Sequence, residues 1–474
     1  MDSAPVVHNL IYRPDPCYWL EQVRSLGYAI LLDSAGASVG AANSARRYDI
    51  ITAAPERVTV IRNGETVVHD LNNHSRTVTV QPVFTLLQAQ MAAVNTGASS
   101  GQPSDLAFTG GLAGYWGYEL NHQLEPERVS ARPHQYPDML VGLYLWAIIS
   151  DHQNKSCQLY FHPALAEEKK QRITRALEQQ PTAVSAAPFL LKSGFENMTS
   201  RQQYDEAFYK IQQWIAAGDC YQINLTQRFS ADYQGDPWQA YQTLRRVSPT
   251  PFSAFLDFPE LKVLSHSPER LLLSDRGYIE AKPIKGTRPR GTTSAQDAAQ
   301  AQELMNSPKD RAENLMIVDL LRNDLGRNCT PGSVRVPVLF GLESYANVHH
   351  MVSTITGELA EGRDNLDLLR TSFPGGSVTG APKIRAMEII REIEPNARSV
   401  YCGAIGYISL NGRMDTNIPI RTLVADQHQI HVWGGGAIVA DSECHSEYEE
   451  SLTKIRNLVQ GLERVYLSNK MVAT

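Results

Sequence analysis

The sequence predicts an α+β fold built on largely antiparallel sheets. Short apolar runs and charged helical stretches arrive in mixed clusters, without strict strand–helix–strand alternation, and no repeat of fixed period or low-complexity tract occurs. Strands are expected at 28–32, 58–61, 141–149, 220–229, 252–258 and 278–284, then at 401–409, 418–425 and 429–433. Helices are expected at 81–94, 164–180, 297–325 and 364–393, with a last one from 446. Another runs from an N-cap at Ser200 to Ala217, where Gly218 stops it. Phe108-Thr109-Gly110-Gly111 and Gly114-Tyr115 concentrate glycine and aromatics, as where backbones approach closely at a sheet bend.

With 474 residues, 42% of them hydrophobic, the chain can fill two subdomains or one large composite core. The formal net charge is −6 and no basic block is present, which argues against nucleic acid or an acidic membrane as partner. Six cysteines lie far apart with no CxxC pair, as expected of reduced thiols in the cytoplasm. No stretch approaches the ~18 uninterrupted apolar residues of a membrane span, and Met1 to Asn9 does not read as a signal peptide.

Three groups of residues carry chemistry. Glu313 lies beyond the first turn of an apolar helix opened by Ser307-Pro308, where no helix dipole accounts for it. In the last helix Ser446-Glu447-Tyr448-Glu449 reads as a capping box that occupies Glu449. Glu447, Glu450 and Lys454 share a face beside the stripe of Tyr448, Leu452, Ile455 and Val459. That face suits either solvent or an oxygen-preferring cation such as Mg2+. A glycine-rich segment from Phe373 to Lys383 enters a helix, and Gly434-Gly435-Gly436 precedes the acidic one. Neither matches a Walker or dinucleotide motif, and each suits a tight turn as well as an anion pocket. Lys282, Lys285, Arg288 and Arg290 crowd nine residues, and such crowding depresses a lysine pKa and frees its amine as a nucleophile. A phosphate or surface patch is the alternative. The residues alone point to an enzyme acting on a small polyanion.

In order and spacing, the strings around residues 218–224, Ser267-Pro268-Glu269-Arg270, Pro283-Ile284-Lys285-Gly286-Thr287, Ala312-Glu313-Asn314, Val348-His349-His350, 374–383, Ile420-Arg421-Thr422 and 438–450 resemble the chorismate-utilising enzymes. That family includes the anthranilate, aminodeoxychorismate, isochorismate and salicylate synthases. The resemblance covers about 199–462, and more weakly 1–160, leaving 161–198 as a connection and 463–474 as a tail. It implies one composite α/β fold of two large antiparallel sheets flanked by helices, with the active site between them.

It further implies Mg2+ held by Glu313, Glu447 and Glu450, and substrate contacts from Arg421, Tyr407, Lys454, Thr379, Gly380, Ala381, Lys383, Gly435, Gly436, Gln222, Thr287 and His350. Gln222 stands where water-adding members carry lysine. Lys285 stands where anthranilate-forming members usually carry alanine, which sorts the chain with the members that make 4-amino-4-deoxychorismate on the route to p-aminobenzoate and folate. Lys285 would be the nucleophile and Glu269 the general acid. An anthranilate-forming enzyme and a silent chorismate-binding regulator are the alternatives. No glutaminase nucleophile motif occurs, so ammonia would come from a separate glutamine amidotransferase subunit in a heterodimer. Ser34, Pro251 and Phe252 mark a candidate tryptophan pocket.

Overall fold

A computed structural model describes residues 5–35, 47–95, 105–179, 187–345 and 348–467. Two sheets dominate it, of 13 and 12 strands, and every strand pairing within them is antiparallel. Each sheet takes strands from both halves of the chain. In the larger, Ala29–Asp33 pairs with Phe252–Asp257, which leads through Lys262–Ser267 and Thr422–Ala425 to Gln429–Ile438 and the long strand Gln222–Gln234. In the smaller, Gly111–Trp116 pairs with Ala404–Ser409 on one side and Met139–Tyr144 on the other. The N-terminal and C-terminal regions are therefore one interleaved body.

The glycines explain how these backbones meet. Gly114 lies opposite Gly406, at φ 151° and 158°. A Cβ on Gly114 would stand 2.2 Å from the Leu140 carbonyl oxygen, and one on Gly406 would stand 2.1 Å from that of Asp415. Only glycine fits both the conformation and the space.

Several expected elements take a different form. The apolar run 141–149 is two strands: Met139–Tyr144 belongs to the smaller sheet and Trp146–Asp151 to the larger, with the chain crossing at buried Leu145. Both strands are buried on both faces, so the sequence carries no polar mark of the crossing. Gly434 to Gly436 lie inside the strand Gln429–Ile438 and form no loop. The last helix starts earlier than expected, spanning Cys444–Tyr466 with Glu443 at its N-cap and no side-chain cap, so the capping box at Ser446 does not form. The helix reaches past the start of the expected tail, whose residues 468–474 lie outside the described ones, as do 180–186 of the connection. Leu190–Leu191 and Glu196–Asn197, from the rest of that connection, pair with the long strand. The helix Arg201–Ala217 is as expected, with a Ser200–Gln203 capping box and Gly218 at φ 81°.

The long strand has a gap in its pairing between Glu196–Asn197, which covers its middle, and Gly380–Ala381, which covers its start. A buried ion pair fills the gap. The Glu394 carboxylate accepts from the Thr226 amide at 2.9 Å, and the Arg398 guanidinium donates to the carbonyls of Asn224 at 2.6 Å and Val378 at 2.7 Å. The two side chains bond each other at 2.7 and 2.9 Å. Both are buried, so removing one leaves a desolvated charge on the other. Arg398→Met is expected to cost about 3–5 kcal/mol of stability, seen as a lower urea midpoint at unchanged slope.

Candidate active site

Five segments meet where the two sheets open toward the N-terminus of the acidic helix. Lys285 comes from the strand Ile284–Pro289, Glu269 from the corner between Lys262–Ser267 and Arg270–Asp275, and Glu313 from the helix Pro308–Gly326. Glu447 and Glu450 come from the first turns of Cys444–Tyr466, which lie against Gly436. Arg421 follows the turn from Ile418.

The Glu269 backbone is pinned on both sides. Its amide donates to Ser267 Oγ at 3.2 Å, and its carbonyl accepts from the Ile418 amide at 3.0 Å. The carboxylate is buried and accepts a 2.9 Å hydrogen bond from Ser377 Oγ of the glycine-rich loop. Burial raises its pKa, and the Ser377 bond, Lys285 and the Ile284 backbone only partly offset that rise. Such a carboxyl retains a proton to higher pH than a free one does.

Lys285 Nζ lies 4.0 Å from Glu313 Oε2, with the side chain 13% exposed. Its pKa is lowered, chiefly by desolvation and then by Lys454, against the opposing pull of Glu313, Glu269 and Glu450. The cations next to it in sequence are not the cause. Lys282 is paired with Glu343, Arg288 with Glu303 and Asp310, and Arg290 with Asp297, so each is directed to its own carboxylate. The crowding visible in the sequence is dispersed by alternation along a strand, and the like charge that matters arrives from the last helix.

The three expected metal ligands share this cleft without converging. Among the described residues no group of three acidic, histidine or cysteine side chains is gathered as a metal cage. Ammonium groups stand among the carboxylates instead. Lys309 Nζ is 3.6 Å from Glu447 Oε1 and also acts on Glu313 and Glu450, while Lys454 Nζ is 2.8 Å from Glu450 Oε1. Glu447 belongs to the buried stripe of its helix, with Ser451, Ile455, Leu458 and Leu462, and Ser442 Oγ donates to it at 2.7 Å. A carboxylate on the apolar face is where a cation is needed. Gly436 leaves the space beside them open: a Cβ there would stand 3.4 Å from Glu447 Oε2 and 3.8 Å from Glu450 Oε1. An all-oxygen donor set beside such an opening fits a hard divalent cation.

The remaining expected residues divide. Arg421 is held at φ 51° with its carbonyl accepting from the His266 amide at 3.0 Å, and burial lowers the pKa of its guanidinium. No ion pair or hydrogen bond from that guanidinium occurs among the described residues, so it is available to an anion. Thr287 Oγ1 lies 2.8 Å from His350 Nδ1, and burial lowers the histidine pKa to about 4, leaving the ring neutral at pH 7. Gln222 is fully buried with neither Nε2 nor Oε1 bonded, opposite Ala381 in register. Thr379 Oγ1 turns back to the Gly375 carbonyl at 3.0 Å, and Lys454 also donates to the Gly435 carbonyl at 3.0 Å. Lys383 is directed elsewhere: its amine donates to Asp324 Oδ2 at 2.5 Å and to the Ser372 carbonyl at 3.2 Å, locking the loop exit onto the Pro308–Gly326 helix. Tyr407 packs edge-on to Phe108, with ring centroids 5.6 Å apart. Ser34, Pro251 and Phe252 come together where Asp33 pairs with Ser253, beside an Asp33–Arg245 ion pair at 2.6 Å.

Two neighbours of these groups, Ser377 and Lys309, are not singled out by the sequence. For Lys309 the i,i+4 spacing to Glu313 was the available signal.

Residues 37–460 match the chorismate binding enzyme family. The chain belongs to that family. It is 45% identical to aminodeoxychorismate synthase component 1 of Salmonella typhimurium, with 97% of this chain and 99% of the relative covered. To anthranilate synthase component 1 of Synechocystis it is 36% identical over 94% of this chain and 92% of the relative. The crystal structure of anthranilate synthase component I from Streptococcus pneumoniae superposes at a TM-score of 0.75 with 28% identity, covering 89% of this chain and 93% of that one. The two large antiparallel sheets flanked by helices are thus shared across this family.

The hydrogen bond from Ser377 stabilises the charged form of Glu269, so its loss raises the carboxyl pKa further. Ser377→Ala is expected to shift the Glu269 titration to higher pH in carboxyl carbon NMR, with the signal assigned by its absence in Glu269→Gln.

Proposed function

We propose that this chain aminates chorismate to 4-amino-4-deoxychorismate, using ammonia delivered by a separate glutamine amidotransferase subunit. The observation that carries the reading is the desolvated Lys285 amine lying between Glu269 and Glu313, with the unpaired Arg421 guanidinium in the same site. A lysine there has a chemical use only if its amine is neutral part of the time, and burial supplies that condition. The relative named aminodeoxychorismate synthase component 1, matched over nearly full length, supports the same assignment, and the word component supports a partner.

Lys285 Nζ adds to C2 of the ring as both ring double bonds shift and the C4–O bond breaks. The protonated Glu269 carboxyl gives its proton to the departing oxygen, which leaves as water. Ammonia then adds at C4, both double bonds shift back, and the C2–Nζ bond breaks. The proton released by the new amine returns to the carboxylate of Glu269, so chorismate and ammonia yield product and one water. Arg421 binds a substrate carboxylate, and neutral His350, held by Thr287, borders the ring without adding charge. Glu313, Glu447 and Glu450 would hold Mg2+, which when bound draws negative charge from a substrate carboxylate. Ser34, Pro251 and Phe252 would hold tryptophan.

Lys285→Ala is expected to lose at least a hundredfold in 4-amino-4-deoxychorismate formation from chorismate and ammonium, followed by product mass. With wild-type enzyme and no ammonia, the peptide carrying Lys285 should gain the mass of chorismate less water. Anthranilate and pyruvate as wild-type products, or an unaltered Lys285→Ala rate, would overturn the reading.

For the metal, Glu313→Gln and Glu450→Gln are each expected to weaken Mg2+ binding at least tenfold in calorimetry. Glu449→Gln, which alters an exposed residue without a capping role, should leave it unchanged.

A further inference from the structure

A second concavity, of about 480 Å3, opens between the 132–136 segment, the turn at 391–399 and the Arg228–Trp433 step of the strand pair. It shares no lining residue with the site around Lys285. Three arginines line it, Arg132, Arg228 and Arg391. Arg391 is used by the backbone, donating to the carbonyls of Ser130 at 3.1 Å and Ala131 at 3.0 Å. Arg132 makes one bond, to the Arg391 carbonyl at 2.6 Å, and Arg228 Nε is buried with no partner. Among the described residues neither Arg132 nor Arg228 has a carboxylate partner.

The acids at the rim do not supply one. Glu394 is taken by Arg398 and the Thr226 amide, Glu392 by Lys210, Asp138 by His134 and Asp426 by Tyr136. Elsewhere the protein pairs its buried arginines: Arg398 with Glu394, Arg270 with Asp415 and Glu280, Arg245 with Asp33. Arg421 inside the family's site lacks such a pair, as do Arg132, Arg228 and Arg13 outside it, and of these Arg13 lies over the Tyr18 ring at 3.9 Å. Desolvation depresses the pKa of both Arg132 and Arg228, outweighing the pull of Glu394 and Glu119 on Arg132 and of Tyr136 on Arg228. The cavity offers a wall of Tyr136 and Trp433, with the amides of Gln135 and Asn396 at its edge.

We infer that this cavity is a second anion site, taking a small carboxylate- or phosphate-bearing molecule between the Arg132 and Arg228 guanidinium groups. Two arginines lining one space suit oxyanions, which accept paired N–H bonds from a guanidinium fork.

The test is calorimetric titration of the full-length protein at low ionic strength, with inorganic phosphate in one arm and citrate in the other. Arg421→Met serves as the background in both arms, so that binding in the chorismate site does not contribute. Saturable binding in at least one arm is expected, and the arm that binds identifies the anion type. Adding Arg228→Met or Arg132→Met should weaken it at least tenfold, while Arg228→Lys, which keeps the charge and loses the fork, should retain part of it. Equal affinity with and without either methionine substitution, or no saturable binding of either anion, overturns the assignment. If Arg228→Met is poorly folded by circular dichroism, the Arg132→Met and Arg228→Lys titrations decide.

Discussion

Arg398 and Glu394 hold together segments that every part of the site requires. Their pairing closes the gap beside the strand Gln222–Gln234 and ties the Val378 carbonyl of the glycine-rich loop to that strand. The Arg398 and Ser399 amides donate in turn to the buried Glu119 carboxylate, at 2.8 and 2.7 Å, which brings in the segment following Gly111–Trp116. One fully buried guanidinium thus relates the loop that carries Ser377, the strand that carries Gln222 and the smaller sheet. Every donor of such a group must find an acceptor, so the backbone around it has little freedom to drift. The positions of Glu269 and Lys285 inherit that rigidity through Ser377 and the Ile284 backbone.

Charge in the cleft is balanced locally and leaves a small imbalance where chemistry occurs. Carboxylates from Glu313, Glu447 and Glu450 meet ammonium groups from Lys285, Lys309 and Lys454, and no charge of either sign dominates. Desolvation then acts in opposite directions on the two groups that matter, favouring a protonated Glu269 and a neutral Lys285. Opposite shifts of this kind in neighbouring groups are what the proposed acid and nucleophile roles require. Arg421 is left without a counter-charge among the described residues.

The legible parts were those written in local pattern. Ser200 and Gly218 bound their helix by capping chemistry that depends on no tertiary contact. The glycines from 110 to 114 could likewise be found from type and spacing, and the resemblance of the motif strings to a known family singled out Glu269, Lys285 and Glu313 before any geometry. What failed was tertiary in origin. The crossing at Leu145 is invisible because strands buried on both faces carry no alternation. Ser446 has a capping sequence, yet the helix begins two residues earlier and leaves it unused. The cations around Lys285 looked like a cluster because distance along a chain is not distance in space. Lys383 fits a motif position, but its amine is held by Asp324 of the neighbouring helix.

The interleaving of the sheets bears on how the chain is made. Thr109 bonds Ser409 across 300 residues, next to the pairing of Gly111–Trp116 with Ala404–Ser409. A ribosome adding about 5–20 residues per second needs ~15–60 s to bridge that interval. Throughout it the apolar strand Gly111–Trp116 lacks the neighbour that will cover one of its edges. The N-terminal third therefore cannot complete its sheet during synthesis, and its open edge is a site for self-association. Holding that edge soluble until the last quarter of the chain emerges is work for a chaperone, and it grows with expression rate.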